Sequence, residues 1–169
     1  MHLGNIMIGD TDEDDSAHNP IPILKLIDFD RGHVVDDPRK ENIGVKWNIF
    51  DIGNVMRTLI TGDRSMVSPQ PADVTVRIKG NRKTFVSYGA DIVARKYPNL
   101  DPGLQEMVVR CLAVVPNNRP SLEDIVIYLR DKIQRTTSAS YRRYPGGGRY
   151  ETTAEMRRLV KRCIFDANT

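Results

Sequence analysis

The stretch Leu100–Ile133, LDPGLQEMVVRCLAVVPNNRPSLEDIVIYLRDKI, decides the fold, because it encodes two helices separated by a short break. Asp101 is the expected N-cap of the first helix, and Pro102 takes its first position, where a missing N–H costs little. The PNNRP segment ends that helix. Ser121 is the expected N-cap of the second helix, and Asp124 completes a capping box. The stretch therefore predicts a helix–break–helix unit.

A further helix is predicted upstream, in the sequence WNIFDIGNVMRTLITG, Trp47–Gly62. Its apolar residues recur at helical spacing, and Gly62 provides a C-terminal stop. The apolar stripe is wide, so this helix is expected to be central. The stripe consists of Ile49, Ile52, Val55, Met56, Leu59 and Ile60.

Two short strands are predicted near the N-terminus. The first is NIMIGD, Asn5–Asp10, and the second is ILKLIDF, Ile23–Phe29. An acidic segment closed by two prolines joins them, and such a segment is typical of a loop. The pair therefore predicts a β-hairpin, which needs a further element to pack on.

The region Gly62–Leu100 is weakly patterned. DVTVRIKG alternates like a strand but is equally compatible with a loop, and SYGADIVARKY predicts a short helix. After the helix pair, YRRYPGGGRY is expected to be a linker, because three glycines disfavour a packed element. A last amphipathic helix is predicted over Thr153–Phe165. The fold class is mainly α with a small β-hairpin.

Composition limits the class of protein. The chain has 169 residues, a net charge of +3 and two cysteines, Cys111 and Cys163. No apolar run has membrane-spanning length, the first fifteen residues do not have the pattern of a secretory signal, and the two cysteines do not predict a disulfide framework or a zinc site. We expect an intracellular protein without a membrane partner.

Charge is distributed unevenly. Residues 1–46 contain ten acids and five bases, whereas residues 135–169 contain eight bases and three acids. The basic tail is either a solvated segment or a contact for nucleic acid, a membrane surface or the acidic head of the same chain. Nucleic acid is the less expected partner, because basic and aromatic residues do not interleave.

Asn5 and Asp28 are the candidate metal ligands. They lie at the adjoining ends of the two predicted hairpin strands, and one brings a neutral oxygen and the other a charged one. Mg²⁺ prefers such oxygen ligands and commonly takes one or two carboxylates plus phosphate oxygens. The alternative is an acidic hairpin mouth that binds no metal, and spacing alone does not decide between the two.

Four motifs in order resemble the C-terminal lobe of a eukaryotic protein kinase. HLGNIM is similar to the end of the catalytic loop, where Asn5 matches the metal-binding Asn. LKLIDFDRG is similar to the Asp-Phe-Gly segment, with Asp28 and Phe29 in the first two positions. NIFDIGNVMRTLITG, with Gly53, is similar to the central helix. LQEMVVRCLAVVPNNRPSLEDIV is similar to the closing helix pair, with Arg119 before Pro120.

The resemblance implies a helical bundle of the kinase C-lobe type over residues 1–134, followed by a basic linker and helix over 135–169. It implies ATP- and Mg²⁺-dependent phosphoryl transfer to Ser or Thr of a protein substrate in an intact parent. Asn5 and Asp28 would hold Mg²⁺, with His2 and Asp30 as accessory residues. The base expected five residues before Asn5 falls before Met1, so we predict that the isolated chain is inactive.

The sequence departs from the kinase pattern at several positions. Asp30 replaces the glycine of the metal-binding segment, and Asn48 takes the place of the central-helix Asp. The Glu that would pair with Arg119 is missing, so Arg119 either lacks its partner or caps the break between the helices. These departures favour an alternative, a non-catalytic kinase-like module that binds a protein partner.

The upper face of such a lobe normally lies under its other half. Leu3, Ile6 and Ile23 are therefore expected to face water. An exposed apolar face of this kind predicts self-association.

Overall fold

A computed structural model describes residues 5–15, 19, 22–27, 43–63, 70–78, 80–93, 97–142, 147–150 and 152–166. The elements in chain order are β1 (Ile6–Ile8), β2 (Leu24–Leu26), α1 (Ile43–Thr61), β3 (Ala72–Ile78), β4 (Asn81–Ser87), α2 (Ala90–Val93), α3 (Pro102–Cys111), α4 (Leu122–Arg135), α5 (Gly147–Tyr150) and α6 (Thr153–Val160). The predicted class, mainly α with a small amount of antiparallel β, is confirmed.

The chain forms two compact units. The first takes its described residues from the range 32–130, and the second takes them from 4–31 and 131–169. The predicted boundary between residues 134 and 135 stays a prediction. Among the described residues, no helix combines the length and apolar character needed to cross a membrane.

Helix α1 of the first unit begins four residues before the predicted start at Trp47. It ends where the sequence predicts, because Gly62 follows it with a φ of +69°, which residues with a side chain rarely adopt. Asp101 caps α3 by accepting the backbone N–H of Leu104 at 2.9 Å, and Pro102 is the first residue of that helix.

A second hairpin, β3–β4, occupies the weakly patterned region, and the two strands pair antiparallel from Ala72↔Ser87 to Ile78↔Asn81. The alternating segment is therefore a strand rather than a loop. Strand β4 was not predicted, because only Phe85 and Ser87 of its seven residues are buried and the rest are exposed.

The first unit has two apolar clusters. One joins the β3–β4 hairpin to α2 and α3, through Val74, Phe85, Ile92, Val108, Val109, Leu112 and Ala113. The other joins α1, α3 and α4, through Ile49, Met107, Cys111 and Ile125. The predicted core position of Cys111 is confirmed, and burial raises the pKa of its thiol to about 12.

The second unit contains the predicted N-terminal hairpin. Strands β1 and β2 pair antiparallel, with Ile6 opposite Leu26 and Ile8 opposite Leu24. Ile6 and Ile23, which were expected to face water, are half-buried, and Leu3 lies outside the described residues. The large exposed side chains of this hairpin are Met7, Ile8, Leu24 and Leu26.

The C-terminal segment also belongs to the second unit. The predicted last helix is present as α6 with a π-helical turn over Lys161–Phe165, and Thr152 caps its start. The linker prediction is wrong for Gly147–Tyr150, which form the helical turn α5. This turn contacts α6 and the 3₁₀ turn Ser138–Tyr141, and such neighbours offset the backbone entropy cost of glycine.

Candidate functional site

The adjoining strand ends of the β1–β2 hairpin are the first part of the candidate site. Asn5 directly precedes β1 and is half-buried. Its backbone carbonyl accepts the N–H of Ile27 at 2.9 Å. Antiparallel pairing therefore places Asn5 beside Ile27, the residue that precedes Asp28 in the sequence.

The remaining predicted residues of this site, His2, Asp28, Phe29 and Asp30, lie outside the described residues. The Asn5–Asp28 magnesium pair therefore stays a prediction. Within the part of the chain that the structure describes, no three His, Cys, Asp or Glu side chains form a group suited to a metal ion.

An exposed acidic loop follows the same hairpin strand. Asp10, Asp12, Glu13, Asp14 and Asp15 are all exposed there. The Asp12 carboxylate accepts the Asp14 backbone N–H at 3.0 Å, which is typical of a turn. The carboxylates of this loop are the alternative to the Asn5–Asp28 pair as ligands for a cation.

Arg119 is the most connected predicted residue in the first unit, and it is only 5% exposed. Its Nε donates to the Ala113 carbonyl at 2.9 Å, and its Nη1 donates to the Lys46 carbonyl at 2.9 Å. Its Nη2 donates to the Val114 carbonyl at 3.4 Å. No carboxylate among the described residues forms a salt bridge with Arg119. The geometry is that of the capping alternative raised by the sequence.

Two aromatic rings enclose the same guanidinium. Its central carbon lies 5.2 Å from the Trp47 ring centroid and 4.7 Å from that of Phe50, within cation–π range. The two rings meet edge to face with centroids 6.0 Å apart. Burial lowers the pKa of Arg119, although Asp51 acts in the opposite direction. Arginine nevertheless stays protonated at neutral pH.

Lys46 makes the reciprocal contact. Its Nζ donates to the Arg119 carbonyl at 3.1 Å and to the Pro120 carbonyl at 3.4 Å, while its own carbonyl accepts from Arg119. Two buried cations thus tie the start of α1 to the break between α3 and α4. Lys46 was not predicted from the sequence, because its position three residues before Ile49, the first residue of the predicted helical stripe, gave no sign of burial.

Gly53 lies where α1 crosses α3. A Cβ atom added there would be 2.8 Å from the Cβ of Cys111, closer than real Cβ contacts, and a tight 3.1 Å from Leu112 Cγ. Only glycine allows this approach without a shift of the helices. The kinase resemblance included Gly53, and the structure shows that glycine is needed here because α1 and α3 pack closely.

Arg57 joins α1 to α2. Its Nη2 and Nε bind Asp91 Oδ2 at 2.8 and 3.1 Å, and Nη2 also reaches Asp63 Oδ2 at 3.4 Å. Burial alone would lower the pKa of Arg57, but these carboxylates raise it overall. This pair was not predicted from the sequence, and the available signal was an arginine between Met56 and Leu59 of the apolar stripe.

Asn48 does not take part in these contacts. It lies exposed on α1, and its side chain makes no hydrogen bond to the residues that the structure describes. It therefore does not anchor a neighbouring described segment.

Comparison with known proteins places part of the chain near the kinases. Over 93 residues it is 30% identical to a probable serine/threonine-protein kinase of Dictyostelium discoideum. The alignment covers 54% of this chain and 6% of that protein. No protein-family model and no solved structure matches the chain. A kinase-like relationship of this part of the chain is what the similarity supports.

Proposed function

We propose that the chain supplies the magnesium-binding end of a protein kinase-like C-terminal lobe. In an intact parent this lobe would support Mg²⁺- and ATP-dependent phosphoryl transfer to Ser or Thr of a protein substrate. The observation that carries the proposal is the hydrogen bond from Ile27 to the Asn5 carbonyl, which pairs Asn5 with the residue before Asp28. The partial similarity to a probable serine/threonine-protein kinase supports it from the sequence side.

The proposed roles follow from the chemistry of the side chains. Asn5 offers a neutral amide oxygen and Asp28 offers a carboxylate, and this donor set suits Mg²⁺. A bound Mg²⁺ would neutralise charge on the nucleotide phosphates. The hairpin fixes the backbone of Asn5, so the ligand set is partly ordered before a cation arrives. His2 and Asp30 are proposed as accessory residues, and Phe29 as a packing residue.

Manganese provides the test, because it replaces Mg²⁺ at oxygen sites and broadens nearby NMR signals. We expect added Mn²⁺ to broaden the amide signals of Ile6 and Ile27 first, and we expect Asp28→Asn to abolish that effect. Asp12→Asn, in the exposed loop, is the matched control and should leave the broadening unchanged. Broadening centred on residues 12–15 that persists in Asp28→Asn would overturn the proposal.

A non-catalytic module is the second candidate, because the exposed side chain of Asn48 makes no hydrogen bond to the described residues. A module of this kind would bind a protein partner without retaining the cation. The same titration separates the two functions, because the module predicts that Asp28→Asn behaves like the wild-type chain toward Mn²⁺.

A further inference from the structure

We propose that α4 pairs with α4 of a second copy of this chain, in antiparallel orientation. The helix carries an apolar stripe of Leu122, Val126, Leu129 and Ile133, spaced four, three and four residues apart. These side chains are 45%, 44%, 44% and 71% exposed, respectively. The spacing is that of the a and d positions along the seam of a coiled coil. This inference does not depend on the proposed function.

The rest of α4 fixes the helix in place. Ile125 is 8% exposed and packs in the cluster with Met107 and Cys111. Tyr128 packs against that cluster, and its hydroxyl donates to Asp101 Oδ1 at 3.2 Å. The Ser121–Asp124 capping box holds the first turn, with the Asp124 N–H 3.0 Å from Ser121 Oγ. The stripe is therefore a surface of an anchored helix rather than of a loose one.

In an antiparallel pair related by a two-fold axis, the stripe of one copy packs against the same stripe of the second copy. When the two-fold axis passes between residues 127 and 128, Val126 lies opposite Leu129 of the second copy, and Leu122 lies opposite Ile133 of the second copy. Such a surface is self-complementary, as a closed dimer requires. Contiguous exposed apolar surface of this kind commonly marks an interaction site.

Charge selects the orientation. Glu123 and Arg130 flank the stripe on the same side, both exposed, and neither forms an ion pair with the described residues. They are seven residues, or roughly 10.5 Å, apart along the helix, too far to pair with each other. In the antiparallel pair Glu123 approaches Arg130 of the second copy, and the contact occurs twice. In a parallel, in-register pair like charges lie at the same level.

The first experiment is sedimentation velocity of the full chain from 1 to 200 µM. The expected result is a concentration-dependent shift from one chain of 19.2 kDa to two. Leu129→Glu should weaken this association by at least about tenfold, because it places a charge in the apolar seam. Ile127→Glu is the matched control: Ile127 is 61% exposed but lies roughly 130° around the helix, and its change should have no effect.

Charge reversal tests the orientation. Glu123→Arg and Arg130→Glu should each weaken the association roughly two- to tenfold, and the double variant should restore it. A chain that stays monomeric at 200 µM overturns the proposal. So does association that survives Leu129→Glu but is lost in Met7→Glu, because the exposed β1–β2 hairpin would then be the interface.

Discussion

Replacement of Arg119 by lysine separates two roles that the sequence left open. If Arg119 acts through its positive charge, as in an ion pair, lysine retains most of its contribution. If Arg119 instead acts by donating hydrogen bonds from several nitrogens to carbonyl groups, lysine loses most of that contribution. The structure shows three donated hydrogen bonds to the carbonyls of Ala113, Lys46 and Val114, and these need the separate nitrogens of a guanidinium.

The expected loss follows from those contacts. One ammonium group cannot take the positions of all three nitrogens, so at least one of the two 2.9 Å bonds is lost. A buried carbonyl left without a donor costs about 1–3 kcal/mol. Lysine also loses the planar contact with Trp47 and Phe50, worth roughly 1–2 kcal/mol when desolvated. We therefore expect Arg119→Lys to lower the free energy of unfolding by about 2–4 kcal/mol, and Arg119→Met to lower it by a similar amount.

Urea unfolding monitored by Trp47 fluorescence measures this change, because Trp47 is the chain's one tryptophan and lies against Arg119. Arg135→Lys is the control, since Arg135 is 80% exposed and pairs only at the surface with Asp131, so its change should stay within about 0.5 kcal/mol. An unfolding free energy for Arg119→Lys near that of the wild type, together with a large loss for Arg119→Met, would refute the capping argument and point to an ion pair.

Three further predictions concern packing, strand pairing and thiol chemistry. Gly53→Ala should lower the free energy of unfolding by about 0.5–2 kcal/mol. Overpacking against Cys111 costs roughly 1–3 kcal/mol, whereas the higher helix propensity of alanine stabilises the helix by about 1 kcal/mol. A rise in the urea midpoint would contradict the close crossing of α1 and α3. Arg82→Glu should raise that free energy by about 0.5 kcal/mol, since Arg82 lies directly opposite Arg77 on the hairpin, and equal stabilisation in 1 M salt would count against a charge effect. With Ellman's reagent at pH 8, the exposed Cys163 should react at once and Cys111 only on unfolding, because a pKa of about 12 leaves roughly one thiolate in 10⁴; rapid reaction of both thiols in the native chain would refute the buried position.

The sequence predicted the elements whose signals are local. The caps of α3 and α4 and the stop at Gly62 each depend on a few neighbouring residues, so those helix ends were predictable. The β1–β2 hairpin was predictable from two apolar segments around a polar, proline-closed loop. For the candidate site, the predicted hairpin set Asn5 beside the end of the second strand, and the structure pairs Asn5 with Ile27. The Asn5–Asp28 pair itself stays a prediction, because Asp28 lies outside the described residues.

Other features had no local signal. Strand β4 is mostly polar, and it forms because its backbone pairs with β3 while Phe85 and Ser87 reach the core. The helical turn at Gly147–Tyr150 opposes the propensity of its glycines, and its contacts with α6 and the Ser138–Tyr141 turn offset that cost.

The sequence by itself determined the long helices α1, α3 and α4, the last helix α6, the first hairpin and the residues from which a site could be built, because capping and apolar periodicity act within a few residues. Only the tertiary structure decided that Arg119 binds carbonyls rather than a carboxylate and that Lys46 is its reciprocal partner, since these contacts join residues 73 positions apart. It also decided why position 53 is a glycine, because a Cβ atom there would lie too close to the Cβ of Cys111. The physical reason is that burial and hydrogen-bond partners arise from packing between distant segments, which periodicity along the chain does not encode.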